Sequence, residues 1–463
     1  METGIKEASK RGDFSEGSVR RHLLRLALPM TVAQLINLLY SVVDRMYLGR
    51  LAETGSLALT GIGIVMPVIS ILTAVAMLCG TGGAPLFSIS RGGGDNEEAE
   101  KILGNSFSLL MIFGIISTVV VIIFKKQILY AFGASDDTYP YAAEYLTIYT
   151  LGTLFVMIGL GMNPFINAQG AARRGMMTVA VGAVVNIILD PIFIFMFDMG
   201  VAGAAYATII AQLCAAACAM QFLCGKRAVC KLRISSLRPG AARMRRIIAL
   251  GLSGFMMNLT NSVVQIVCNR TLQAYGGDLY VGIMTIINSL REIVFVPISG
   301  LNGATSPVLG FNYGAKLNDR VRQGIRFSIT LTVLYMIAMW ALMLGAPRMM
   351  IRIFTDDAAM IEAGVRAVRI YFMMGVFMSL QMSSQVVFLS LGKSKFAIFF
   401  SMLRKVMISA PLTLILPLFI GTDGVFFADA ISQLVSGTIC FFVMYFTQYK
   451  KLGQNSSRLP AQP

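Results

Sequence analysis

The chain carries twelve apolar runs, near 23–48, 57–80, 102–124, 141–168, 177–197, 201–224, 247–274, 280–304, 325–346, 367–391, 396–420 and 425–448. About twenty apolar residues in a helix span the hydrocarbon core of a bilayer. Inside that core a backbone must satisfy its own hydrogen bonds, which a helix does. The pattern predicts an all-α polytopic membrane protein with twelve transmembrane helices. Composition agrees: 56% of the 463 residues are hydrophobic, 13% are charged, and mean hydropathy is +0.71. No soluble domain of this size carries that balance. The first 22 residues are charged and polar with no cleavable apolar segment, so no signal peptide is expected.

Charge alternates between successive connections. From Lys226 to Arg246 there are eight basic residues and no acid. Arg173 and Arg174 follow the fourth run, Lys316, Arg320, Arg322 and Arg326 surround the link after the eighth, and Lys393 and Lys395 follow the tenth. The stretch Gly133–Glu144, between the third and fourth runs, carries Asp136, Asp137 and Glu144 without a base. Basic links remain in the cytoplasm, so both termini are expected inside, in a plasma (inner) membrane. The net charge of +16 then reflects topology and lipid contact. Nucleic acid is not an expected partner, because the bases flank apolar runs instead of forming one patch. Seven cysteines, an odd number with no Cys-x-x-Cys, lie mostly in or beside apolar runs. They indicate neither a disulfide framework nor a zinc site, and no cofactor is expected.

The sequence repeats itself. Gly200–Gln212 aligns with Gly421–Gln433 at an offset of 221, with five of thirteen positions identical. Val42-Val43-Asp44-Arg45 aligns with Val267-Cys268-Asn269-Arg270 at an offset of 225. The basic stretch falls at the midpoint. This gives two pseudo-symmetric six-helix lobes: an N-lobe at 23–225 and a C-lobe at 247–448, with a cytoplasmic N-terminal segment at 1–22, a linker at 226–246 and a tail at 449–463. Both lobes start inside, so their pseudo-twofold axis is expected along the membrane normal, with a cavity between them near the midplane.

The fifth and sixth runs hold the densest chemistry. Asn186 and Asp190 are four apart, hence stacked on one helical face. Pro191 follows at once and removes the donor for a carbonyl near Ile187. With the hydroxyl of Thr208 on the next helix, an amide, a carboxylate and a freed carbonyl make an oxygen-lined cation site. An ionisable group at this depth is a functional candidate by default. Asp44, near the outer end of the first run beside Arg45, reads on its residues alone as either a solvated helix end or a site residue. Asn37 and Tyr40 lie seven and four before it on the same face. With Asn163 and Gln265, polar residues within apolar runs, they are the candidate substrate contacts.

Two six-helix lobes, an Asp in the first helix, and Asn186-x-x-x-Asp190-Pro191 followed by Thr208 resemble the MATE (multidrug and toxic compound extrusion) family over roughly residues 20–448. The resemblance implies export of cationic or amphipathic small molecules in exchange for Na+ or H+. Similarity to the DinF-like and archaeal branches implies a cation site, for Na+ if a metal ion couples, at Asp44, Asn186, Asp190 and Thr208, and a bending role for Pro29. It also favours a polar fourth-helix residue such as Asn163 in substrate binding. The NorM-like branch uses acids on the seventh and tenth helices. Here Asn258, Asn261, Gln265 and Asn269 occupy the seventh and Gln381 and Gln385 the tenth, so a second-lobe cation site of that kind is not expected. Glu292 remains a candidate polar contact in the eighth, beside Arg291. Asp429, at the repeat position of Thr208, reads as an altered second site or as a polar contact near a helix end. A monomer is the expected assembly.

Two other classes compete. A lipid-linked oligosaccharide flippase of the same broad superfamily is expected to line its cavity with arginines, whereas here arginines cluster in loops, with Arg291 and Arg404 the main exceptions. Gly251-Leu-Ser253-Gly254 matches the Gly-x-Ser-Gly of rhomboid proteases, but the only histidine, His22, precedes the first helix. That also excludes His-Glu-x-x-His zinc chemistry, and the chain is not expected to be an enzyme.

Overall fold

The computed structural model describes residues 12–48 and 55–456, which are helical with no strand. Helix α1 is Val19–Leu48, α2 is Gly55–Gly92 and α3 is Asn96–Ile123. Helix α4 is broken, Tyr139–Leu151 meeting Thr153–Ala168 at a 57° bend. Helix α5, Ala172–Pro191, passes into a π-helical turn at Ile192–Met196, and α6 is Gly200–Cys224. The stretch Ala241–Gly314 has 74 residues, which as one helix would reach about 110 Å, far beyond a bilayer. Gly277 divides it at φ 64°, ψ −163°, backbone that a side chain would strain. The halves are α7 (241–276) and α8 (278–314). Helix α9 is Asn318–Gly345, and α10 joins Ala358–Phe372 to Gly375–Ser390 at 45°. Helix α11 runs from Ser394–Met402 through a π segment, Leu403–Ser409, to Ala410–Ile415 and Pro417–Ile420. Helix α12 is Asp423–Met444, prolonged by the π turn Tyr445–Tyr449. These are twelve spans among the described residues, one for each apolar run.

Several helices outrun their apolar runs. Helix α2 continues to Gly92, and α3 begins at Asn96 behind Asp95, whose carboxylate accepts the Glu98 N–H at 2.8 Å. A side-chain cap satisfies a terminal donor in water, so a helix need not stop where lipid does. On the outer face, Ile115, Ile116, Val119 and Ile123 of α3 are exposed, as lipid-facing residues must be. The chain is a multi-pass membrane protein.

The chain forms two compact units. One comprises Leu28–Gly251 with the segment ending at Glu16; the other comprises Gly17–Ala27 and the chain from Leu252. Within the first, Phe87 meets Phe165 edge-on at 5.6 Å among the buried Leu103, Leu110 and Ile166. The basic linker is latched onto this unit. Arg243 grips Glu98 through two hydrogen bonds of 2.9 and 2.7 Å, and Gln169 Oε1 accepts the Val229 and Cys230 N–H groups. Asn105 donates to the Ser236 and Arg238 carbonyls and accepts from the Gly240 N–H. Within the second unit, Leu272, Ile287, Val294, Tyr371, Phe372 and Phe426 form the core. The foot of α1 belongs there: Arg20 sits over the Phe327 ring at 5.9 Å, and Arg320 donates to the Gly17 carbonyl at 2.8 Å.

Candidate functional site

In the first unit, Asn186 Nδ2 donates to Asp190 Oδ1 at 3.2 Å. Asp190 is 0% and Asn186 1% exposed. Among the described residues no donor reaches Asn186 Oδ1, which leaves an amide oxygen beside the carboxylate, the donor set a hard monovalent cation takes. Pro191 ends the α-helical ladder and the π turn follows, with Phe197 N–H closing onto the Ile192 carbonyl at 2.9 Å. Helix α6 packs tightly against that turn: a Cβ on Gly203 would stand 2.8 Å from the Phe193 carbonyl. Thr208, further along α6, is buried. The C-terminal end of α1 reaches the same segment, Tyr47 meeting Phe195 edge-on at 6.3 Å. Asp44 lies on α1 three residues earlier, but its side chain is outside the described residues.

The other candidates lie in different settings. Pro29 is inside α1 and half-buried; Asn37 is exposed and Tyr40 half-buried. Asn163 is engaged in packing. Its amide donates to the Gly175 carbonyl at 3.0 Å and to Thr178 Oγ1 at 2.7 Å, and its oxygen accepts from Asn167 at 3.0 Å. Those bonds sew α4 to α5, a use that its position in the sequence does not reveal. Gln265 donates to Asn269 Oδ1 at 3.2 Å and lines a cavity of about 220 Å³ within the second unit. Glu292 is exposed and is not among that cavity's lining residues.

That second-unit cavity is what sequence reasoning underestimated. Asp429, read as a helix-end contact or altered site, is buried and accepts from Lys405 Nζ at 3.4 Å, Ser409 at 3.4 Å and Gln433 at 2.9 Å. Arg404 donates to Gln381 Oε1 at 3.2 Å, and Arg291 to the Tyr371 hydroxyl at 3.3 Å. Gln381 also bonds the Phe400 carbonyl and Ser436, and Gln385 the Ala397 carbonyl, so both glutamines tie α10 to its neighbours. Arg404 and Lys405 are adjacent yet both buried, at 8% and 5% exposure. They sit in the π segment of α11, and such widened turns concentrate at functional sites. The available signal was two adjacent bases inside an apolar run.

A family model matches residues 29–192 and 254–415, which cover most of both units. The chain belongs to the MatE family. MatE proteins are transporters, so Ser253, buried in α7, has no hydrolytic role, and Gly251 serves packing, since a Cβ there would lie 1.9 Å from the Leu78 carbonyl. Multidrug export protein MepA of Staphylococcus haemolyticus (strain JCSC1435) is 25% identical to this MatE chain over 445 residues, covering 94% of each. The MepA protein of Staphylococcus aureus (strain MRSA252) is also 25% identical, over 93% of this chain and 95% of its own. Among solved structures, MATE in the bent conformation superposes with a TM-score of 0.90 at 22% identity, covering 98% of this chain and 99% of that one.

Proposed function

We propose that this MatE protein is a multidrug efflux antiporter. It exports cationic and amphipathic small molecules while Na+ or H+ enters, acting as a monomer in the plasma membrane with both termini in the cytoplasm. The carrying observation is full-length similarity to multidrug export proteins in a chain whose first unit buries the Asn186–Asp190 pair. A carboxyl group at that depth requires either a counter-cation or a proton. Asp190, Asn186 and Thr208, with Asp44 from α1, form the coupling site in this reading. Ion entry supplies about 2.3 kcal/mol per charge for each 100 mV of potential. Pro29 lets α1 bend as the ion binds, and Asn37, Tyr40 and Glu292 contact substrate, while Asn163 holds α4 to α5 and Gln265 lines the second-unit cavity.

The test is ethidium efflux in reconstituted vesicles under separately imposed sodium and proton gradients. One gradient is expected to drive efflux, and Asp190→Asn, which retains shape but loses the charge, is expected to abolish it. Gradient-driven efflux that survives in a correctly folded Asp190→Asn protein would remove Asp190 from the coupling site. No efflux under either gradient would overturn the antiporter reading.

A further inference from the structure

The cavity of the second unit has a charge imbalance that efflux of cations does not use. Its lining includes Arg291, Lys405, Tyr371, Asn261, Gln265 and Asp429. Arg404 stands behind it, within electrostatic range of Arg291 and Asp429. Three cations therefore face one carboxylate, an excess of two positive charges, and counting the exposed Glu292 still leaves one. Of the three, only Lys405 has an ionic partner among the described residues. The hydrogen bonds of Arg291 and Arg404 go to neutral groups, Tyr371 and Gln381. A guanidinium carries five N–H donors, and uncompensated charge at membrane depth is costly. The volume of about 220 Å³ equals that of about seven waters, enough for one small oxyanion group.

We infer that this cavity binds one oxyanion group, a carboxylate or a phosphate, between Arg291 and Lys405. Arg291 supplies charge-assisted hydrogen bonds from N–H groups not spent on Tyr371, and Lys405 supplies a second positive contact while it holds Asp429. Asn261 and Gln265 offer amide donors on the α7 side. An organic cation is disfavoured there by the same excess charge, so the cavity is distinct in ligand class from the Asn186–Asp190 site. The oxyanion belongs either to a soluble small molecule or to a lipid headgroup.

The experiment uses the full-length protein in phosphatidylcholine nanodiscs at constant ionic strength set with chloride. Binding of radiolabelled inorganic phosphate and of radiolabelled benzoate is measured at equilibrium for wild type, Arg291→Gln, and the double variant Lys405→Gln/Asp429→Asn, which removes the ion pair as a unit. Saturable binding that weakens about tenfold or more in either variant, the scale of one hydrogen bond to a charged group, supports the site and a soluble source. In a parallel arm, native mass spectrometry counts phosphatidylglycerol retained on detergent-extracted protein. Retention lost in Arg291→Gln, without binding of the soluble probes, supports the site with a lipid phosphate as its ligand. The inference is overturned if neither probe saturates and lipid retention is unchanged, or if binding is indifferent to both variants in monodisperse protein. None of these readouts requires transport, so failure of the efflux reading leaves this result separately interpretable.

Discussion

Single residues in this protein differ most through what surrounds them. Cys224, at the end of α6, is exposed, whereas Cys230, six residues on in the linker, is buried. Burial pushes the Cys230 thiol up to about 11, with Arg91 opposing the shift and Glu100 adding to it. The thiolate is the reactive form, so near neutral pH Cys230 is both covered and protonated. Maleimide labelling followed by peptide mass mapping is expected to modify Cys224 and spare Cys230; equal labelling would mean the linker does not stay docked. The same dependence on surroundings governs what the sequence discloses about the sites. Asn186 and Asp190 were legible because a spacing of four on one helix guarantees that they meet. Lys405 and Asp429 were not, because they lie 24 residues apart on α11 and α12, and no local period says which faces of two helices come together.

At the level of helices, run length carried the fold. Twelve stretches of bilayer length became twelve spans because nothing shorter than a helix satisfies a backbone in lipid. The irregular turns were hidden. Pro191 announced a break in α5, but the π segment of α11 has no proline within Leu403–Ser409 and carries the buried Arg404 and Lys405. Polar seams between helices were likewise invisible. The Asn163 seam gives a prediction: Asn163→Leu strips two donors from the α4–α5 contact and leaves the buried Asn167 amide without its acceptor. A loss of about 1–3 kcal/mol is expected, read as a lowered unfolding midpoint in detergent. Unchanged stability with a raised half-saturation for ethidium would instead assign Asn163 to substrate.

At the scale of the whole molecule, the asymmetry of basic links bears on orientation, because positive residues resist translocation. The linker is held down by neutral and acidic partners of the first unit, Gln169, Asn105, Glu98 and Glu100. Its basic side chains are thus kept near one membrane face and not dispersed. The link after α3 carries exposed Asp136 and Asp137. These two links belong to the same unit and must emerge on opposite faces, since α4, α5 and α6 intervene between them, an odd number of crossings. The proposed topology puts the linker inside. In a background with its native cysteines replaced, Ser235→Cys, at an exposed linker position, is expected to react with a membrane-impermeant maleimide only in inverted vesicles. Asp137→Cys is expected to react only in right-side-out cells. Reversal of both patterns would invert the protein in the membrane and leave an exporter facing the wrong way for the inward ion gradient. Labelling of both sites from one side would be inconsistent with three spans between them.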